Sequence, residues 1–181
     1  MMDMVSVANT DKIPAEGFGR VGVLYGGRSA EREVSLMSGE GVHRALCEAG
    51  VDAHLFDTGT HDLPELAAAG FDRVFIALHG RWGEDGCIQG ALELLGIPYT
   101  GSGVAACALA MDKVMTKRVW LEQGLSTPRF AVLRPGVDMN AAATEIGLPL
   151  IIKPSHEGST LGLTKVFSAC SVTGAYEAAA R

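Results

Sequence analysis

Aromatic residues are scarce in this chain of 181, at 6%, and positive charge is outweighed, with 15 Lys and Arg against 21 Asp and Glu. No basic cluster interrupts that balance. Lacking both a cationic stripe for phosphates and aromatic platforms for bases, the sequence excludes nucleic acid as an expected partner. Also missing is a run of roughly 18 to 20 apolar residues, the length a spanning helix needs, so no membrane partner is expected. The opening "MMDMVSVANTDKIPAEGFG" has no basic segment leading into an apolar one, which argues against a secretory signal. Residues 1–19 read as a flexible extension, and the expected location is cytoplasmic. The four cysteines, Cys47, Cys87, Cys107 and Cys170, show no C-x-x-C pair and read as free, buried thiols. His43, His54, His61 and His156 lack zinc-ligand spacing, so no protein-built metal site is expected within the chain.

What is present is a core-forming composition, 48% apolar, together with 23 glycines, more than tight turns alone usually require. From Arg20 onward, strand-like and helix-like patterns alternate. Residues 21–25 of "RVGVLYGG" read as a strand, and the apolar spacing from Val34 to Ala49 as a helix ended by Gly50. "VDAHLF" is a second strand, and residues 63–69 form a short helix with Asp62 as its N-cap. Residues 74–78 form a third strand, apolar enough to be buried on both faces, and residues 85–95 the next helix. Such alternation predicts an open parallel sheet flanked by helices, with ligands outside the carboxyl ends of the strands. Later come a strand near residues 130–133, a helix near 140–146, and the pair "LPLIIK" and "LTKVF" around a glycine-rich loop.

Two loops occupy strand ends. In "GGRSAERE", Gly26 and Gly27 permit a tight turn, and Glu31 either starts the helix or receives a cationic substrate group. In "LHGRWGEDG", His79 follows a buried strand, Gly80, Gly83 and Gly86 shape the loop, and Glu84 with Asp85 read as helix caps. By contrast, "GFGRVG" precedes its strand, so the letter match to a dinucleotide fingerprint lacks the required context. Two lysines ask for anions. Lys113 follows Asp112 at a helix start, where a cation is misplaced unless something negative arrives, and Lys153 ends the strand "PLIIK". Gly158, Ser159, Thr160 and Gly162 offer N–H groups and hydroxyls near Lys153, a phosphate-binding pattern without the ending of a P-loop.

Together "GGRSAEREVSLMSG", "FIALHGRWGEDGCIQGALELLGIPYTGSG", "AMDK" and "IIKPSHEGSTLG" resemble the D-alanine–D-alanine ligase family of ATP-grasp enzymes. The resemblance runs from Arg20 to the end. It implies that Glu31 holds the ammonium of a first D-alanine and that His79 contacts its carboxylate. It implies that Lys113 and Lys153 hold ATP phosphates with Ser159 and Thr160, and that Ser159 joins a network with Glu31. Glu31, Ser159 and Lys153 are thus the candidate catalytic residues. The implied reaction joins two D-alanines through a D-alanyl phosphate, with ATP and Mg²⁺ (or Mn²⁺) as cofactors, in peptidoglycan precursor synthesis. Metal ligands are expected beyond residue 181, and a homodimer through the N-terminal domain is implied. Because family members are longer, three expectations follow: residues 20–124 as an N-terminal α/β substrate-binding domain, 125–181 as an incomplete α+β ATP-grasp subdomain, and the C-terminal part absent. On that basis the chain alone is expected to be inactive. Another ATP-grasp carboxylate–amine ligase or a non-catalytic folded fragment are the alternatives.

Overall fold

Val21, Val23 and Leu24 have no polar neighbour to alternate with, and the strand they build is buried on both faces. This strand, β1 (Arg20–Tyr25), is central in a parallel sheet of order β2-β1-β3, with β2 (Asp52–Asp57) and β3 (Arg73–Ile76). Val23 pairs with Leu55 on one side and Phe75 on the other. The computed structural model describes residues 14–158 and 160–180, so the expected flexible extension lies mostly outside the described residues. Ala15–Phe18 form a 3-10 turn whose Ala15 and Phe18 pack on Val21, Val51 and Ala53.

The chain divides into two compact units. The first comprises the described residues up to His79, with Gln89–Gly101. In it α1 (Arg32–Glu48) links β1 to β2, and α2 (Leu63–Ala68) links β2 to β3. Asp62 caps α2 through a reciprocal pair: its side chain accepts from the Glu65 N–H at 3.0 Å, and Glu65 accepts from the Asp62 N–H at 2.7 Å. An isolated parallel bridge between Val74 and Tyr99 extends the sheet beyond β3. Within β3 only Val74 is buried, so this strand is less enclosed than its sequence suggests, and the doubly buried role belongs to β1. Helix α3 (Cys87–Leu95) follows the glycine loop.

The second unit comprises Gly80–Ile88 and the described residues from Ser102 on. Helices α4 (Val104–Met111) and α5 (Lys113–Glu122) meet at Asp112, whose carboxylate accepts from the N–H groups of Val114 and Met115. Asp138 caps α6 (Met139–Ile146) in the same way. Strands β4 (Leu150–Ile152) and β5 (Thr164–Val166) form an antiparallel pair, and α7 (Val172–Ala179) closes over it. Ala143, Ile152, Val166, Val172 and Ala175 make the core of this unit.

Three expectations are corrected. The segment near residues 130–133 is not a strand; it runs without regular structure, and Arg129 beside it donates to the carbonyls of Glu145 and Ile146 at the end of α6. The subdomain expected to be incomplete instead buries its own apolar core, because α7 covers the face that a bare hairpin would leave wet. The cysteines are free, but Cys47, Cys87 and Cys170 are exposed. Small apolar neighbours do not ensure burial, as α4 ("VAACALAM") shows by having no buried residue.

Candidate active site

In the first unit the "GGRSAERE" loop leaves β1 through Gly26 and Gly27, both at positive φ. Arg32, the first residue of α1, holds this loop against the end of β2. Its guanidinium makes a two-pronged contact with Asp57 at 2.9 and 2.6 Å and donates to the Gly27 carbonyl at 2.8 Å. The N–H groups of Gly27 and Gly59 also donate to Asp57. The hydrogen bond from Arg32 lowers the Asp57 pKa to about 2 from 3.8; burial opposes it and the two glycine N–H groups assist. A depressed carboxyl contributes stability that is whole above pH 3.8 and is lost as pH falls through about 2. Asp57→Asn should therefore lose stability less steeply than the parent over that interval, although it is less stable at neutral pH. Urea unfolding at stepped pH tests this, and parallel acid limbs would exclude it.

Glu31 takes the N-cap position of α1, but its side chain makes no capping hydrogen bond. Capping is instead spread over Ser29, whose hydroxyl accepts from the Glu31 N–H at 3.1 Å. The same hydroxyl donates to the His79 carbonyl at 2.8 Å. Ser29 thus ties the two sequence-identified residues together, itself reaching His79 across 50 positions. The His79 ring meets Ser38, with Nε2 at 2.9 Å from Oγ.

The rest of "LHGRWGEDG" belongs to the second unit. Glu84 accepts from the Gly80 N–H at 2.7 Å, and Asp85 accepts from those of Trp82 and Cys87. The two acids fold the loop onto itself, and Asp85 also serves the first residue of α3. Burial works against the Asp85 charge, yet those N–H groups outweigh it and hold the carboxyl below its ordinary pKa. A Cβ on Gly86, at φ 92°, would lie 2.8 Å from the Val104 carbonyl oxygen, so a larger residue there meets rigid backbone. Trp82 is itself at φ 71°, strained for a bulky residue.

Lys113 and Lys153 face one cavity of about 1090 Å³, also within the second unit. Lys113 Nζ donates to the Glu157 carbonyl, and its own N–H donates to Ser155 O at 3.0 Å. Burial, then the charge of Lys153, lowers the Lys113 pKa. Lys117, not singled out from the sequence, joins them. It donates to Thr127 Oγ1 and Pro128 O, both at 2.6 Å, and lies over the Phe130 ring. Its pKa is also lowered by burial and then by Lys153. The available signal was its position four residues after Lys113 on one helix face. Thr160 is exposed and turns the chain through its carbonyl, Gly158 is half-buried, and Gly162 adopts a positive φ against Pro154. Ser159 lies outside the described residues. Among the described residues no group of three or more His, Cys, Asp or Glu side chains could hold a metal ion.

Residues 58–102 match the family model described as D-ala D-ala ligase N-terminus, and residues 119–181 match the one described as D-ala D-ala ligase C-terminus. Along both stretches the chain is similar to the D-alanine–D-alanine ligase family. It is 69% identical over 164 residues to the D-alanine–D-alanine ligase of Bordetella pertussis, covering 91% of this chain and 52% of that protein. It is 62% identical over 179 residues to that of Cupriavidus necator, covering 99% and 54%. The crystal structure of the Bacillus anthracis D-alanine–D-alanine ligase aligns with a TM-score of 0.77 at 33% identity, covering 87% of this chain and 52% of that one. The same enzyme complexed with ATP aligns with a TM-score of 0.74. The chain spans about half the length of the relatives it matches. The match over residues 119–181 corrects the expectation that the C-terminal part of the family is absent, and the inactivity deduced from that absence loses its basis.

Proposed function

We propose that the chain serves ATP-dependent ligation of two D-alanines for peptidoglycan precursor synthesis, holding ATP phosphates with its second unit and the first D-alanine with its first. The observation that carries this reading is the cavity wall. Lys113, Lys117, Arg129, Lys153 and Lys165 line it, with no carboxylate among the described lining residues. A wall of that charge suits a polyanion such as a triphosphate and repels a bare cation. Mg²⁺ or Mn²⁺ is expected of the family, but among the described residues no group of three or more His, Cys, Asp or Glu side chains could hold it.

In the proposed reaction a carboxylate oxygen of the first D-alanine takes the terminal phosphoryl group of ATP, and ADP leaves. The amine of the second D-alanine then attacks the acyl carbon, expels phosphate and loses a proton to form the peptide. Lys113 and Lys153 offset charge on the phosphoryl oxygens during transfer. Glu31 holds the ammonium of the first D-alanine and His79 its carboxylate, with Ser159 and Thr160 on the phosphate side. The exposed apolar Val34 and Met37 of α1 support the proposed homodimer. A cytoplasmic location agrees with ATP use, and among the described residues no helix is long and apolar enough to cross a membrane.

The test is D-alanine-dependent ADP release; release indifferent to D-alanine, or equal with L-alanine, would sink the proposal. Glu31→Gln then separates binding from capping. Gln keeps the shape and an acceptor oxygen of Glu31, and no cap hydrogen bond is at stake, so stability should stay within about 0.5 kcal/mol of the parent. KM for the first D-alanine should rise about tenfold or more, the scale of one charge-assisted hydrogen bond. Lost stability with an unchanged KM would return Glu31 to a structural role.

A further inference from the structure

His79 is fastened at two points. Its carbonyl accepts the Ser29 hydroxyl at 2.8 Å, and its Nε2 lies 2.9 Å from Ser38 Oγ. Ser38 is in the second turn of α1, where its hydroxyl also lies 2.8 Å from the Val34 carbonyl, with Ser35 O more distant at 3.4 Å. A serine hydroxyl has one proton and two lone pairs, and a helix carbonyl keeps a lone pair beyond its ladder bond. When that proton goes to Val34 O, the oxygen of Ser38 turns a lone pair to the ring, and Nε2 must bring the hydrogen. The opposite arrangement, Ser38 donating to Nε2, suits only a neutral ring protonated at Nδ1. An imidazolium carries a hydrogen on both nitrogens and would find a donor facing a donor. Only the Val34-directed hydroxyl serves the ring in both charge states.

We infer that Ser38 is a positioning residue that keeps His79 in its Nε2–H form, so that Nδ1 is the nitrogen offered to the substrate carboxylate. Among the described residues Nδ1 has no hydrogen-bond partner, which leaves it the one ring position open to a ligand. With Nε2–H committed to Ser38, a proton taken from water onto Nδ1 produces an N–H donor and a positive charge without any rotation of the ring. Ser29 assists by fixing the backbone from which the ring extends. The inference rests on the proposed reading of His79 as a carboxylate contact, and the experiment separates the two.

The chain is labelled with ¹⁵N-histidine, and His79→Gln identifies the His79 signals among the five histidines. Spectra are taken about two pH units above histidine's ordinary pKa, where the neutral ring shows which nitrogen carries hydrogen. The parent should show a protonated Nε2 and a bare Nδ1. Ser38→Ala should draw the two shifts together as the tautomers mix, while Ser38→Thr, which keeps the hydroxyl, should resemble the parent. A parent ring protonated at Nδ1, or an Ala variant with the parent's spectrum, overturns the role of Ser38 and leaves the carboxylate reading standing. Near neutral pH, D-alanine should move Nδ1 toward its protonated position. No movement, with the tautomer as expected, overturns the carboxylate reading and the part of the inference built on it.

Discussion

Lys153→Ala is expected to lower D-alanine-dependent ADP release by roughly 10²-fold or more, the scale on which a single preorganised charge contact acts in a transition state. Lys153 follows Ile152, a buried residue of the second unit's core, so its Cα is fixed by the β4–β5 pair while its charge remains at the cavity wall. Its field reaches Lys113 and Lys117, since it depresses both pKa values after burial has done so. Removing it lets both neighbours hold their protons more firmly, which excludes deprotonation of Lys113 or Lys117 as the cause of a slower reaction. On the proposed reaction, what is lost is one fixed charge on the transferred phosphoryl group. Steady-state ADP release with saturating ATP and D-alanine tests this directly. A rate near the parent's would remove Lys153 from the reaction and leave the cavity wall as a binding surface only.

What could be read from the sequence was local. Asp62 before "LPEL" and Asp112 before "KVM" mark helix starts through short-range chemistry; Asp62 caps as expected, and Asp112, read only as a helix start, caps too. The glycine loops were also legible, because a turn at a strand end depends on a few adjacent residues. Long-range pairings were not. Nothing near Arg32 announces that its partner is Asp57, 25 positions on, nor that Ser29 reaches His79 across 50. The expected strand near residues 130–133 failed for a related reason. A continuous apolar run, Phe130 to Leu133, suits an extended chain, but a strand needs a neighbour to pair with, and that segment lies beside the end of α6 instead. Lys117 was passed over because a lysine on a helix is ordinarily a solvated side chain, and only the turn of α5 brings it beside Lys113 at the cavity.

The glycines of α1 give the sharpest contrast. Gly39→Ala and Gly41→Ala make the same change two residues apart in one helix, and their effects should have opposite signs. A Cβ on Gly39 would lie 2.3 Å from the Cβ of Tyr25 and 2.8 Å from its ring atoms Cγ and Cδ2. The Tyr25 Cβ is fixed to the backbone of β1 and cannot swing aside, so the helix or the strand must move. Overpacking of this kind costs about 1–3 kcal/mol, and a contact between two Cβ atoms belongs at or above the upper end. Gly41 has nothing within 4 Å of the added methyl, so only the gain from restricting a flexible helical residue remains, about 0.5–1 kcal/mol. The consequence reaches function, because the close approach at Gly39 sets the depth at which α1 rests on β1 and hence where Glu31 and Ser38 stand relative to His79. Gly39→Ala should therefore also disturb the His79 ring signals, while Gly41→Ala leaves them in place. Urea unfolding of both variants beside the parent reads the signs. If Gly39→Ala is as stable as Gly41→Ala, α1 is not seated on Tyr25 as closely as described, and the seating of Ser38 against His79 must be revised with it.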